Sequence, residues 1–177
     1  VMDEDLSESA NGATWYYRVV DGAAEIWRDD GCAVDVSAGT TALTVPRTLG
    51  GKLVKSLGDG ALKGCDGVTS VALPDSLQTI GANVFDGCEL LSAFTVDGGN
   101  LKFSAVDGAL YDKDATTLYR CPVNVETLKL PETVTKIAAG ALSDCVRLTD
   151  LTFFGNAPAL EDADEFSATP AKLVLTV

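Results

Sequence analysis

The amino-acid sequence predicts an α/β repeat solenoid, in which stacked coils place a parallel sheet on one face and short turns or helical turns on the other. One observation is a repeat, because residues 73–96 recur in outline on either side. The copies align on Cys65, Cys88 and Cys145, and six rows, cysteine included, keep their spacing in all three. The other observation is the spacing of apolar residues within each copy. Together they predict the fold class.

Each copy has the pattern of a single coil. After each cysteine, apolar residues alternate, as Val71 with Leu73 and Phe94 with Val96, which is typical of a strand with one buried face. The segment before the cysteine, such as GANVFDGC, is short and rich in glycine, so we expect one helical turn or a tight loop there. Because a single coil cannot bury its apolar edge alone, we expect neighbouring coils to stack and their strands to pair in parallel.

The N-terminal part of the chain has two segments of different character. Residues 1–13 are acidic, contain Gly and Ser and lack periodicity, so we expect a flexible leader. Residues 14–42 contain two apolar runs around Asp21–Gly22, a turn pair that favours a β-hairpin. We expect this hairpin to cap the end of the core. An alternative function for its aromatic side chains is a ligand platform formed by Trp15, Tyr16 and Tyr17.

Residues 43–177 form the predicted array. The distance between successive repeat cysteines increases from 23 to 57 residues, so we expect a long irregular coil at 97–131. Within it, segment 108–120 (GALYDKDATTLYR) has two apolar-aromatic runs around turn residues and predicts a second hairpin. The final KLVLTV predicts a last strand.

The repeat residues resemble the BspA-like leucine-rich repeats of bacterial surface proteins. The matching residues of the central copy are Pro74, Ile80, Gly81, Val84, Phe85, Gly87, Cys88, Phe94 and Val96. The resemblance covers roughly 43–153 and departs from the family pattern at Leu62 and Leu142 (usually Phe), Ala138 (usually Gly) and Asp97 (often Pro). It implies a leucine-rich-repeat-like, right-handed stack of coils in an exported protein that binds proteins or mediates adhesion.

Composition and charge exclude several classes of partner. The chain has 177 residues, of which 46% are apolar, and 13 Lys and Arg against 26 Asp and Glu give a net charge of −13. Because phosphate binding needs clustered cations, we expect no nucleic-acid or anionic-membrane partner. No apolar run is long enough to cross a bilayer, so we expect no membrane insertion. We expect a monomer whose acidic surface keeps it in solution, and we expect the given residues to be a mature fragment.

The sequence offers little catalytic or metal-binding chemistry. It contains no histidine, which removes the commonest general base and a common metal ligand. Asp107, Asp112 and Asp114 have a spacing faintly similar to a calcium loop, although hairpin turn residues explain them better. Asp162, Asp164 and Glu165 form an acidic loop with no sign of a substrate pocket. We therefore expect no enzyme activity, no cofactor and no metal.

The five cysteines fall into two groups. Cys65, Cys88 and Cys145 occupy one row of the repeat, so we expect them to be buried as small apolar residues. A bridge between Cys65 and Cys88 would be sterically possible, because they stack in adjacent coils. Cys32 and Cys121 lie outside this row, and the sequence does not fix their redox state.

The outward positions of the main sheet are small and mostly neutral, so they offer poor anchors for a partner. The irregular coil instead carries aromatic and cationic side chains of the kind enriched in binding hot spots. The predicted partner-binding residues are Lys102, Phe103, Tyr111, Lys113, Tyr119 and Arg120. The alternative is that Tyr111 and Tyr119 pair across the hairpin and only cover the edge of the core.

Three functions fit these observations. The first, by resemblance, is a non-catalytic cell-surface or secreted leucine-rich-repeat protein with a protein-binding or adhesion role. The second is a structural spacer that presents another domain. The third is a hydrolase with an unrecognised active site, which the lack of acid–base groups disfavours.

Overall fold

The fold is given by a computed structural model that describes residues 6–154 and 156–162 and the backbone of 174–176. The first strands are β1 (Leu6–Ala10), β2 (Ala13–Val20), β3 (Ala23–Ile26), β4 (Val34–Val36), β5 (Ala42–Thr44), β6 (Thr48–Leu49), β7 (Lys52–Leu57), β8 (Ser70–Leu73) and β9 (Thr79–Ile80). The remaining strands are β10 (Ala93–Val96), β11 (Phe103–Val106), β12 (Ala109–Asp112), β13 (Thr117–Arg120), β14 (Thr127–Lys129), β15 (Lys136–Ile137), β16 (Asp150–Thr152), β17 (Ala159–Leu160) and β18 (Val174–Thr176).

The described part of the chain contains strands and turns but no helix, so it does not support the α/β assignment. Of the two conformations expected before a repeat cysteine, a helical turn or a tight loop, the structure shows the tight loop. Before a repeat cysteine the chain makes tight turns, as where Cys65 N–H donates to Leu62 O at 3.3 Å. Gly60 (φ 66°) and Gly64 (φ 79°) adopt left-handed backbone conformations. Such residues end a turn before a helix can propagate. The fold is therefore an array of strands and short turns.

The main sheet consists of two three-stranded parallel parts, β5–β8–β10 and β14–β16–β18. In the first part Leu43, Val71 and Phe94 lie in one row across the strands. In the second part Leu128 opposes Leu151. All five side chains are buried, which confirms the inward rows and the parallel pairing predicted from the alternation.

The opposite face carries a second series of short parallel strands, which is interrupted in the middle. Before the interruption β3, β7 and β9 pair in parallel, and after it β13, β15 and β17 do so. Among the described residues, β9 pairs with β7 alone, so its other edge has no strand partner. The antiparallel strands β11, β12 and β13, here called the meander, lie between the two series.

The N-terminal segment is more ordered than the flexible leader expected for residues 1–13. Leu6–Ala10 forms β1 and pairs antiparallel with β2, while residues 1–5 lie outside the described part. The turn that joins them is Asn11–Gly12, with φ of 51° and 79°. Asn-Gly is a strong signal for a two-residue hairpin, because both residues tolerate positive φ. This local turn, rather than apolar periodicity, explains the strand.

The predicted hairpin around Asp21–Gly22 is present as β2 and β3. Trp15 and Tyr17 point into the core and are buried. The ring of Tyr16 faces outward and lies 4.1 Å below the guanidinium of Arg28. The three rings therefore do not share one face, which argues against the aromatic platform and for a packing role.

The meander divides the apolar interior into two clusters. Phe103 and Leu110 belong to the first cluster, which extends from the N-terminal cap to the coil of Phe94. Tyr111 and Leu118 belong to the second cluster, which extends to the end of the array. Because adjacent residues of a strand point to opposite faces, Leu110 and Tyr111 place one strand in contact with both cores.

A buried asparagine attaches the meander to the preceding coil. The Nδ2 of Asn100 donates to Pro74 O at 2.8 Å and to Leu77 O at 3.0 Å. Its Oδ1 accepts from the N–H groups of Lys102 and Phe103, both at 2.8 Å. The side chain is fully buried with its polar atoms bonded, so it fixes where the chain leaves the regular repeat.

The cysteines lie inside the array, and none of the five forms a disulfide. Cys65, Cys88 and Cys145 are buried, as the repeat register predicts. Cys32 is half-buried and contacts the Cys65 thiol. Contacts with Cys32 and Cys88, and then burial, raise the pKa of the Cys65 thiol. Cys121 lies beside Cys145, whose Sγ is 3.7 Å from Cys121 O.

Candidate binding groove

The interruption of the second strand series leaves a groove of about 650 Å³ on that face. One wall is the segment 78–86, which contains β9 and the turn after it. The facing wall consists of 138–140 and Ser143 from the next regular coil. Between the walls lie Phe103, Leu110, Tyr119 and Arg120 of the meander. The insertion expected at 97–131 therefore separates two coils that would otherwise stack.

The regular interface between coils shows what the groove lacks. Three alternate N–H groups of one coil donate to three alternate carbonyls of the next. These bonds are Gly60 N–H to Ala82 O at 2.9 Å, Leu62 N–H to Val84 O at 3.1 Å and Gly64 N–H to Asp86 O at 2.8 Å. This parallel ladder satisfies the backbone on both sides of the interface.

The next coil presents the same donors to the groove. Counting from the repeat cysteines, Asn83, Phe85 and Gly87 correspond to Gly60, Leu62 and Gly64. The backbone conformations agree, since φ is 55° at Asn83 against 66° at Gly60, and 73° at Gly87 against 79° at Gly64. No acceptor within the described ranges receives a hydrogen bond from these three N–H groups. Asn83 and Phe85 belong to the wall of the groove, and Gly87 directly follows the last residue of that wall.

The facing wall is connected to the meander. Cys121 N–H donates to Ala141 O at 2.7 Å, and Ala138 N–H donates to Leu118 O at 3.0 Å. Strand β13 also pairs in parallel with β15. The meander therefore takes the place of a preceding coil for the second half of the array, and the groove opens on the side of the first half.

Arg120 is a buried cation in the groove. Its side chain is 8% exposed, and Nη1 donates to Gly140 O at 2.6 Å. Nη2 lies 3.9 Å from Asp86 Oδ1 and 4.0 Å from Asp144 Oδ2, beyond hydrogen-bond distance. Within the part of the chain that the structure describes, Nε and Nη2 have no hydrogen-bond acceptor. Unsatisfied donors of a buried guanidinium are costly and call for a partner.

An aromatic pair forms the apolar part of the groove. The rings of Phe103 and Tyr119 meet edge to face with their centroids 5.7 Å apart. Phe103 is buried, whereas Tyr119 is 41% exposed. The Tyr119 ring is therefore an accessible anchor beside the polar donors.

The structure separates the six predicted partner-binding residues. Phe103, Tyr119 and Arg120 line the groove. Lys102 and Lys113 are exposed but outside it, and Lys113 Nζ lies 3.4 Å from Gly98 O. These two lysines do not share a surface with the groove residues.

Tyr111 is fully buried in the second core cluster, so its ring offers no surface to a partner. Burial is also what raises the pKa of its phenol. The partner of Tyr111 across the hairpin is Leu118. The alternative in which Tyr111 and Tyr119 pair is therefore wrong, since their side chains lie on opposite faces of the meander.

Sequence reasoning did not identify the first wall as part of a site. Asn83, Phe85 and Gly87 belong to the best-formed repeat copy, and their side chains match the pattern of a structural turn. What makes this wall accessible is that no further coil stacks on it, and the sequence of the wall itself does not show this. The only sequence signal is the lengthening of the cysteine spacing after Cys88.

The main sheet and the acidic residues give no competing site. The outward positions are Ala42 and Thr44, Ser70 and Ala72, Ala93 and Thr95, Thr127 and Lys129, Asp150 and Thr152, all partly or fully exposed. The carboxylate of Asp112 is occupied by Thr116 N–H at 2.6 Å and Thr117 N–H at 3.0 Å. Within the described ranges, no cluster of His, Cys, Asp or Glu could hold a metal ion. Asp164 and Glu165 lie outside the described residues.

The described residues contain no helix that is long and apolar enough to cross a membrane.

One comparison with known proteins shows the family, and another shows the fold. The profile of the BspA type leucine rich repeat region matches residues 41–106 and 112–166 in six copies. A leucine-rich repeat protein from T. pallidum is 22% identical, with a TM-score of 0.54 over 83% of this chain and 71% of that chain. The pneumococcal vaccine antigen PcpA is 15% identical, with a TM-score of 0.51 over 98% of this chain and 70% of that chain.

The two structural likenesses show a shared fold. A comparison with curated proteins gave no match. Because the family profile matches more than half of the residues, the chain belongs to the BspA type leucine-rich repeat family.

Proposed function

We propose that this chain is a non-catalytic protein-binding or adhesion module of a secreted or cell-surface protein, and that its partner binds in the groove beside the meander. The observation that supports this best is the set of donors in the groove. Three backbone N–H groups and two guanidinium nitrogens find no acceptor in the described part of the chain. The buried guanidinium nitrogens are the costly ones to leave without an acceptor, and acceptors on a ligand would complete both them and the backbone donors.

The groove also has the composition of a recognition site. It combines an exposed aromatic ring, a buried Arg and adjacent polar walls. Tyr and Arg are enriched in binding hot spots, and irregular segments held on a rigid scaffold often carry recognition. The chain has no histidine, and the described residues that line the groove include no pair of carboxylates with a raised pKa, so binding fits the geometry better than hydrolysis.

A panel of purified extracellular matrix and serum proteins tests this function by surface plasmon resonance. Ala82 is exposed and lines the groove, so Ala82→Trp should obstruct it without disturbing the core. Thr127 is exposed on the main sheet, which makes Thr127→Trp a matched control. We expect at least one partner whose binding is lost with Ala82→Trp and kept with Thr127→Trp.

The opposite result would move the site or remove the function. Loss of binding with Thr127→Trp alone would place the partner on the main sheet. Absence of any partner in the panel would favour the structural spacer. Melting curves of both variants must match the parent chain, so that loss of binding is not loss of folding.

A further inference from the structure

We propose that the occupant of the groove is a short, basic polypeptide segment of the partner, which supplies main-chain carbonyls to the N–H groups of Asn83, Phe85 and Gly87. This inference rests on the proposed function and specifies its chemistry. The segment would take the position of the coil that the meander displaces.

The spacing of the donors selects a run of main-chain carbonyls. Residues 60–64 and 82–86 are turns, and alternate residues of the two turns meet across the regular interface. In the regular interface, the carbonyls of Ala82, Val84 and Asp86 are used in this alternate pattern. The donors at Asn83 and Phe85 repeat that pattern one coil later. A segment of about five residues is enough to reach three donors spaced two residues apart.

Arg120 adds donors at the base of the same groove. Its Nε and Nη2 need an acceptor, while Asp86 and Asp144 lie about 4 Å from Nη2. These two carboxylates would repel a third one brought by a ligand. A neutral main-chain carbonyl avoids that repulsion and still satisfies the guanidinium.

The charge around the groove favours basic side chains on the segment. Asp86 and Asp162 line it, with Asp144 close to Arg120. The chain as a whole carries a net charge of −13. A cationic segment would be attracted over a distance and held by these carboxylates, and this attraction weakens with salt.

The first test uses short linear peptides displayed on phage. Peptides that bind the whole chain are selected, and those that also bind the Ala82→Trp variant are then removed. We expect Lys- or Arg-containing peptides whose affinity falls at least about tenfold in Ala82→Trp, and also falls as salt is raised. A second obstructing change on the same wall, Gln78→Trp, should have the same effect, since Gln78 is exposed. Thr127→Trp should leave the affinity unchanged.

The second measurement is amide hydrogen exchange of the chain with and without saturating peptide. Asn83, Phe85 and Gly87 should each become at least about tenfold more protected, because their N–H groups gain acceptors. The already bonded Leu62 should change little. Arg120→Met should lower the affinity for the peptide at least about tenfold. A peptide in which Lys and Arg are replaced should bind more weakly to every variant of the chain.

Three results would overturn the inference. The inference would be overturned if no linear peptide that loses affinity in Ala82→Trp can be recovered. It would also be overturned if peptides that depend on the groove leave the N–H groups of Asn83, Phe85 and Gly87 unprotected from exchange. Signals on a glycan array that are abolished by Ala82→Trp would assign the groove to sugars. If a folded partner binds in the groove without these signatures, the proposed function stands and only the peptide mode fails.

Discussion

Two coil interfaces in this molecule begin from equivalent positions of the repeat and end differently. At the regular interface, Gly60, Leu62 and Gly64 donate to the next coil. At the interrupted interface, the equivalent Asn83, Phe85 and Gly87 find no acceptor in the described part of the chain, and Asn83 and Phe85 line the groove. The donors themselves are the same, so the difference comes from the neighbour. In the function proposed here, the binding site arises because one coil of the repeat is missing.

Close stacking explains a related difference in sequence. At Gly81 a Cβ atom would lie 2.4 Å from Asp59 Oδ1 and 2.7 Å from Asp59 N, so the regular interface has no room for a side chain. The later copy has Ala138 at this position, where its N–H donates to Leu118 O of the meander. The departure from the family pattern at Ala138 therefore accompanies the replacement of a coil by the meander.

The largest expected effect compares one row at the two interfaces. Phe85 and Leu62 occupy the same repeat position and are both buried, and Phe85 packs edge to face on Phe94 at 4.8 Å. Phe85→Ala should lower the free energy of unfolding by about 3–5 kcal/mol, and Leu62→Ala by about 2–5 kcal/mol. Urea denaturation of both variants measures this. An unchanged midpoint for Phe85→Ala would show that the groove wall is not part of the core.

A smaller effect comes from the turn that shapes the meander. Burial raises the pKa of Asp112, but hydrogen bonds from Thr116 and Thr117 outweigh it and leave the pKa below its ordinary value of 3.8. The ionised carboxylate therefore stabilises the fold fully above the unfolded pKa, and this contribution is lost as the pH falls through the folded pKa. Asp112→Asn should cost about 1–2 kcal/mol at neutral pH.

The pH dependence identifies the cause of that cost. The difference in melting temperature between the parent chain and Asp112→Asn should shrink as the pH falls below 3.8. The neighbouring Asp114 is exposed, and Asp114→Asn serves as the matched control in thermal melts. A difference that stays constant down to low pH would mean that charge at Asp112 does not support the turn.

The smallest effect on stability is expected at Arg120, where the interrupted interface holds a buried cation. Removing a guanidinium with unsatisfied donors relieves a desolvation cost, which offsets the lost bond to Gly140 O. Arg120→Met should change the free energy of unfolding by no more than about 1 kcal/mol in either direction. A loss of about 3 kcal/mol or more would assign Arg120 a structural role in place of recognition.

The repeat register was predictable because burial leaves a periodic trace in the sequence. The rows of Val71 and Phe94, the burial of the repeat cysteines and the turn at Asp21–Gly22 all follow from apolar spacing or turn chemistry. For the segment before each repeat cysteine, the sequence left a helical turn and a tight loop as alternatives, and the structure was needed to decide for the tight loop. Glycine permits a positive φ at positions such as Gly64, but a glycine in the sequence does not by itself predict that conformation.

The groove could not be predicted for a different reason. Aromatic and cationic residues of the insertion indicated the right region, and Tyr119 and Arg120 do line the groove. Which face each side chain takes depends on the shift of register between Leu110 and Tyr111, and a single irregularity of this kind exchanges inside and outside. The main-chain donors of Asn83 and Phe85 carry no side-chain signature at all.

Amide hydrogen exchange of the chain without ligand tests the central claim most directly, because it reads individual N–H groups at both interfaces. After correction for intrinsic rates, Gly60, Leu62 and Gly64 should exchange on the order of a hundredfold more slowly than the equivalent Asn83, Phe85 and Gly87. Equal protection of the two sets would contradict the account, since it would mean that the donors on the groove wall already have acceptors.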